Sequence, residues 1–113
     1  MNKRNLLTVM LAILPFTSVL AFDFEVNGIY YNILSESKIE VTSGTDKYAG
    51  DVIIPKLVEN NGTSYKVIKI GNRAFDGCTE LASVEIPNSV ITIGEYNQEI
   101  EGETNVEIIP VSA

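Results

Sequence analysis

VIKIG at 67–71 and VITIG at 90–94 agree at four of five positions, and their glycines, Gly71 and Gly94, lie 23 residues apart. A second marker gives the same interval. Ile-Pro occurs at Ile54-Pro55, Ile86-Pro87 and Ile109-Pro110, and the last two are again 23 residues apart. Two independent markers with one period identify an internal repeat. The first Ile-Pro interval, Pro55 to Pro87, is 32 residues. Its excess of 9 falls in KLVENNGTSYK (56–66), where Asn60, Asn61 and Gly62 are turn formers. The short link Asn88-Ser89 of the later unit is expected to have become a longer loop in the earlier one.

A period of 23 lies in the range of leucine-rich repeats, roughly 20–29 residues. DVII (51–54) and SVEI (83–86) are short, β-branched and stopped by proline, which lacks the amide proton needed to extend a ladder. Side chains alternate along a strand, so Val84 and Ile86 share one face while Ser83 and Glu85 share the other. Gly71 and Gly94 recur where a tight bend would want no β-carbon. NRAFDGC (72–78) is too short for a self-sufficient helix and reads as a turn. Ala74, Phe75, Cys78 and Leu81 are expected to point inward and stack on the next coil, because one repeat cannot bury its apolar face alone.

IGNRAFDGCTELASVEIPNSVITIG (70–94) resembles the BspA-type leucine-rich repeats of bacterial surface and secreted proteins. The resemblance rests on Ile70-Gly71, Ala74-Phe75, Gly77-Cys78, Leu81, Val84, Ile86-Pro87, Ser89-Val90 and Ile93-Gly94. The stretch FDFEVNGIYYNILSESKIEVTSG (22–44) with YAGDVIIP and NGTSYKVIKIG is similar to the lead-in of such proteins from anaerobes of gut and mouth. The resemblance implies a curved, β-rich leucine-rich-repeat solenoid with short parallel strands. It also implies an extracellular or cell-surface location and, in some members, adhesion to proteins or cells. It carries no catalytic residues.

Read from its own residues, the lead-in is a β-hairpin cap. GIYYNIL (28–34) and KIEVT (38–42) are strand-like and joined by SES. Such a cap closes the exposed strand edge of the first coil. Beyond Gly94 the register of 23 continues but the chemistry changes. Phe75 maps to Gln98, Cys78 to Glu101, Leu81 to Thr104 and Val84 to Glu107; only Ile86, at Ile109, keeps its character. A degenerate terminal cap with Val106–Ile109 as its strand, a loosely docked tail and a shortened array all fit this stretch. The expected layout is a signal peptide (1–21), a β cap (22–50), repeats (51–94) and a degenerate repeat or cap (95–113), with about two and a half repeats in all.

The signal-peptide reading rests on Lys3 and Arg4, the apolar run LLTVMLAIL (6–14), and Val19 and Ala21 before a cleavage point. The run is shorter than the roughly 20 apolar residues of a membrane span. No membrane span is therefore expected after cleavage. Removal would take the net charge from −7 to −9, by loss of Lys3 and Arg4. An acidic chain repels phosphate backbones, so nucleic acid is not an expected partner. The single cysteine, Cys78, excludes an internal disulfide and is expected in the core.

Histidine is absent. That removes the commonest general base and metal ligand and any Cys–His nucleophile. The acidic run Glu95, Glu99, Glu101, Glu103 and Glu107 lacks calcium-loop spacing and reads as a solvated face. Asn61-Gly62-Thr63 matches a glycosylation sequon. Tyr30, Tyr31, Tyr48, Tyr65 and Tyr96 could stack on sugars or anchor a partner where exposed, but packing at a rim is the more usual use of such a side chain; Tyr30 and Tyr31 cannot both be buried on one strand face.

No enzyme and no cofactor are expected. The expected function is binding of a protein or surface glycan, with Asp51, Ile53, Ser83 and Glu85 on the outward sheet face. The alternative is a structural unit that self-associates through an open carboxy-terminal edge.

Overall fold

The computed structural model describes residues 22–97 and, for the backbone, 107–111. The expected signal peptide and most of the acidic run lie outside the described residues. Nine strands follow one another, with no helix among the described residues. They are β1 (Phe24–Val26), β2 (Ile29–Ile33), β3 (Lys38–Thr42), β4 (Gly50–Ile53), β5 (Leu57–Asn60), β6 (Thr63–Ile70), β7 (Leu81–Pro87), β8 (Thr92–Ile93) and β9 (Glu107–Val111).

They form two sheets. The first has the order β1-β2-β3-β6-β5, with β8 also paired to β6. The β1/β2, β2/β3 and β5/β6 pairs are antiparallel, whereas β3/β6 and β6/β8 are parallel. The second sheet, β4-β7-β9, is wholly parallel. The chain therefore alternates between sheets, leaving β6 for β7, returning to β8, and crossing again to β9.

The quoted repeat is directly visible in β6 and β8, where Lys69 stands beside Thr92 and Ile70 beside Ile93. Equivalent turns follow. Gly71 N–H donates to the Val41 carbonyl and Gly94 N–H to the Ile70 carbonyl, each at 2.7 Å. Arg73 and Tyr96, again 23 apart, both adopt positive φ, at 61° and 63°. The glycines are required for a different reason than a bend. A β-carbon on Gly94 would lie 2.2 Å from Asn72 Oδ1 and 2.7 Å from its backbone nitrogen, so the successive turns approach too closely for any side chain there.

Several expectations need correction. The 56–66 insertion is not a loop but a hairpin, β5–β6. Asn61 and Gly62 both take positive φ, which matches the two-residue turn that suits twisted antiparallel strands. The expected two-stranded lead-in has three strands, because Asn27-Gly28 forms a second turn of the same kind between β1 and β2. The final strand is Glu107–Val111, and its register on β7 is 24, not 23: Val84 stands beside Ile108 and Ile86 beside Pro110. A one-residue slip moves a strand's whole pattern to its other face. It places Ile108, instead of Glu107, in register with Val84 and Val52.

The core lies between the sheets. The rows Tyr31–Val41–Ile70 and Ile39–Val67 come from the first sheet, and Val52–Val84 from the second. Ala74, Phe75, Cys78 and Leu81, on and after the intervening turn, are all buried as the sequence pattern predicts. Each fully buried Val, Ile or Phe contributes about 1.5–3 kcal/mol.

Tyr30 and Tyr31 are both buried, on opposite faces of β2. Tyr31 packs on Phe24, while Tyr30 is covered by Phe22 and Tyr48. Tyr48 and Tyr65 are buried too, which leaves Tyr96 as the exposed tyrosine, with the Arg73 guanidinium 4.2 Å above its ring. The tyrosines thus serve the core more than a stacking surface. The Tyr48 hydroxyl is built into the strand ladder. It accepts from Tyr30 N–H at 3.0 Å and donates to the Thr42 carbonyl at 2.5 Å.

Candidate partner-binding face and its edge

β4 and β7 bring together the four residues expected on the outward face. Asp51 stands beside Ser83 and Ile53 beside Glu85. The Ser83 hydroxyl donates to Asp51 Oδ1 at 2.6 Å, fixing the carboxylate on its neighbour. The four are not equally available. Ile53 is 63% exposed and Asp51 is exposed, but Glu85 is half-buried and Ser83 only 9% exposed, since β7 is flanked by a strand on each side. The accessible part of the face is therefore its β4 half, an exposed isoleucine next to a hydroxyl-anchored carboxylate.

β4 is also the end strand of its sheet. Ile54 N–H donates to the Glu85 carbonyl, toward β7, at 3.0 Å. Backbone groups alternate in direction along a strand, so Asp51 and Ile53 turn their N–H and C=O groups away from β7, to the sheet's outer edge. In the first sheet the corresponding edge of β6 is covered by β3. β3 thus supplies a neighbouring strand to one sheet, whereas no described strand pairs with the outer edge of β4 in the other.

A cleft of about 450 Å³ lies along this edge. Its lining includes Asn27 and Gly28 of the β1–β2 turn, Asp46 and Tyr48, and Asp51 and Ile53 of β4. The ammonium of Lys47, which also lines the cleft, donates to the Asp76 carbonyl at 3.0 Å. Neither Asp46 nor Asp51 forms an ion pair among the described residues. The strand pattern placed these four residues in two neighbouring pairs, and nothing in the local sequence pointed to the cleft.

The buried polar groups here are structural. Asn97 is 0% exposed. Its Oδ1 accepts from Phe75 N–H at 2.9 Å, and its Nδ2 donates to the Gly71 and Gly94 carbonyls at 2.9 Å each. It cross-links successive turns where the sequence suggested only an acidic, polar stretch. Burial raises the pKa of Tyr31 and Tyr48 well above the ordinary phenol value, so both stay neutral hydroxyls. No cluster of potential metal ligands occurs among the described residues. No described helix is long and apolar enough to cross a membrane.

The fold is similar to those of solved leucine-rich repeat proteins. One from Bacteroides ovatus ATCC 8483 is 33% identical with a TM-score of 0.67, over 78% of this chain and 23% of that one. A leucine-rich repeat protein from Bacteroides capillosus ATCC 29799 is 27% identical with a TM-score of 0.57, over 76% and 64%. A leucine rich cell surface protein from Faecalibacterium prausnitzii A2-165 is 25% identical with a TM-score of 0.54, over 71% and 20%. The chain thus spans under a quarter of two of these proteins and just under two thirds of the third. No family model matches the sequence, and no curated protein matches it closely.

Proposed function

We propose that this chain is a non-catalytic binding protein of the leucine-rich-repeat kind, acting outside the cell or on its surface through the outward side of β4 and β7. The observation that carries the reading is the in-register row Asp51–Ser83 and Ile53–Glu85 on an all-strand scaffold similar to leucine-rich repeat proteins. In this reading the alternation between sheets is a short solenoid of about two and a half BspA-type repeats behind a cap, and residues 1–21 are an export signal. The cell-surface description of the Faecalibacterium protein supports the location. A protein or surface glycan is the expected partner class. The absence of histidine from the sequence disfavours an enzyme.

The test is a screen of protein and glycan arrays with the protein and with Glu85→Lys and Ile53→Asp variants. The reading expects a defined partner whose binding falls with either substitution. Affinity unchanged by several outward substitutions counts against it. Fractionation of cells making the full chain checks export.

One observation favours the alternative of an assembly unit. Ile91, just before β8, is 78% exposed, and Ile93 within β8 is exposed. A concentration-dependent dimer that Ile91→Asp abolishes is the expected sign of pairing there.

A further inference from the structure

We infer that the β4 edge takes an extended, basic polypeptide segment as an added strand. This deepens the proposed binding function and rests on a polypeptide being the partner. Asp51 and Ile53 each direct an N–H and a C=O to an edge that no described strand covers. Such a row of unpaired groups is a template for strand addition.

The cleft selects for a single segment. Its lining joins residues of that edge to the Asn27-Gly28 turn, so an added strand meets both. A second copy stacking its whole end here meets the cap, because β3 already occupies the matching edge of β6. Charge sets the composition of the segment. Asp46 and Asp51 border the cleft outside any ion pair among the described residues, Lys47 is engaged with the Asp76 carbonyl, and the chain carries a net charge of −7. A lysine or arginine beside Asp51 places a cation near the two carboxylates, and an apolar β-former two residues along, on the same face of the added strand, meets Ile53. Main-chain bonds give affinity and alternate side chains give selectivity.

The experiment is selection of a phage-displayed random dodecapeptide library on the immobilised full chain. An enriched synthetic peptide is then titrated into isotope-labelled protein. Basic, β-forming peptides are expected to be enriched. The peptide is expected to slow amide exchange at Asp51 and Ile53 by at least about tenfold, a protection in keeping with new backbone hydrogen bonds. Ile53→Pro removes the outward N–H without touching the β7 ladder, as proline is tolerated on edge strands. It should weaken the peptide about tenfold more than Ile53→Ala, since both lose the side chain and only proline loses the donor.

If Ile53→Pro does not fold, exchange at Asp51 and Ile53 in the unsubstituted protein decides the matter. No enrichment over a blank surface, enrichment of acidic peptides, or binding that leaves those two amides unchanged overturns the inference. Binding that Glu85→Lys abolishes but Ile53→Pro spares overturns the edge while leaving the outward face as the binding site.

Discussion

Replacing Asn97 by alanine tests how the stacked turns are held together. The amide satisfies three backbone groups, the Phe75 N–H and the Gly71 and Gly94 carbonyls, and is itself fully buried. A typical hydrogen bond contributes about 1 kcal/mol net, and leaving a buried partner orphaned costs about 1–3 kcal/mol. With three partners affected, and water able to reach some of them after truncation, the expected loss is about 3 kcal/mol. Asn72→Ala is the internal comparison. Asn72 Oδ1 accepts a single bond, from Glu95 N–H at 2.8 Å, at an exposed site, so its loss should be about 0.5 kcal/mol. Urea denaturation of both variants gives the two free energies. Amide exchange at Phe75 shows whether the lost bond is the one named. A loss below about 0.5 kcal/mol for Asn97→Ala, or equal losses for the two variants, refutes the cross-linking role.

Other substitutions separate contacts that look alike. Gly94→Ala should cost about 1–3 kcal/mol, because its β-carbon would meet the Asn72 backbone nitrogen at 2.7 Å, and denaturant titration measures it. Two tyrosines should respond in opposite directions to loss of the hydroxyl. Tyr48→Phe breaks the bridge between Tyr30 N–H and the Thr42 carbonyl and should cost about 1–3 kcal/mol. Tyr31→Phe removes a buried hydroxyl with no hydrogen-bond partner and should be neutral or stabilising by about 1 kcal/mol. Burial raises both phenols in the folded state, so their contribution is complete below the unfolded value of about pH 10 and is lost as pH rises above it. Stability measured from neutral to alkaline pH should fall from about pH 10, less steeply in either Phe variant.

The repeat was legible because it is written in residues that set backbone geometry. VIKIG and VITIG mark the strand pairing of Ile70 with Ile93 and the need for glycine at the turn, though the close approach that Gly94 serves comes from the stacking and was read as a bend. The inward set Ala74, Phe75, Cys78 and Leu81 was legible from spacing alone, and so was the pairing of Asp51 with Ser83. The Ile-Pro marker misled at the third strand. Proline ends a strand but does not set its register, and β9 sits one residue further along than the marker implies. Asn97 was illegible for a physical reason. In EYNQ it looks like any polar loop residue, and only the stacked turns turn its amide inward. The tyrosines misled similarly, because β2 is covered on both faces by residues far along the chain, Tyr48 on one and Tyr65, through Phe24, on the other. The cleft is lined by residues from 27–30, 46–49 and 51–53, a juxtaposition that no local pattern encodes.

The most direct test of the account is residue-resolved hydrogen exchange on the full chain in solution. The account holds that cap and repeats form one stacked body whose second sheet presents β4 at a free edge. It predicts strong protection at Gly71, Phe75 and Gly94, at Val84 within β7 and at the amides of β9 that pair with it, with fast exchange at Asp51 and Ile53. Protection that stops at β6, or slow exchange at Asp51 and Ile53 in the free protein, contradicts it.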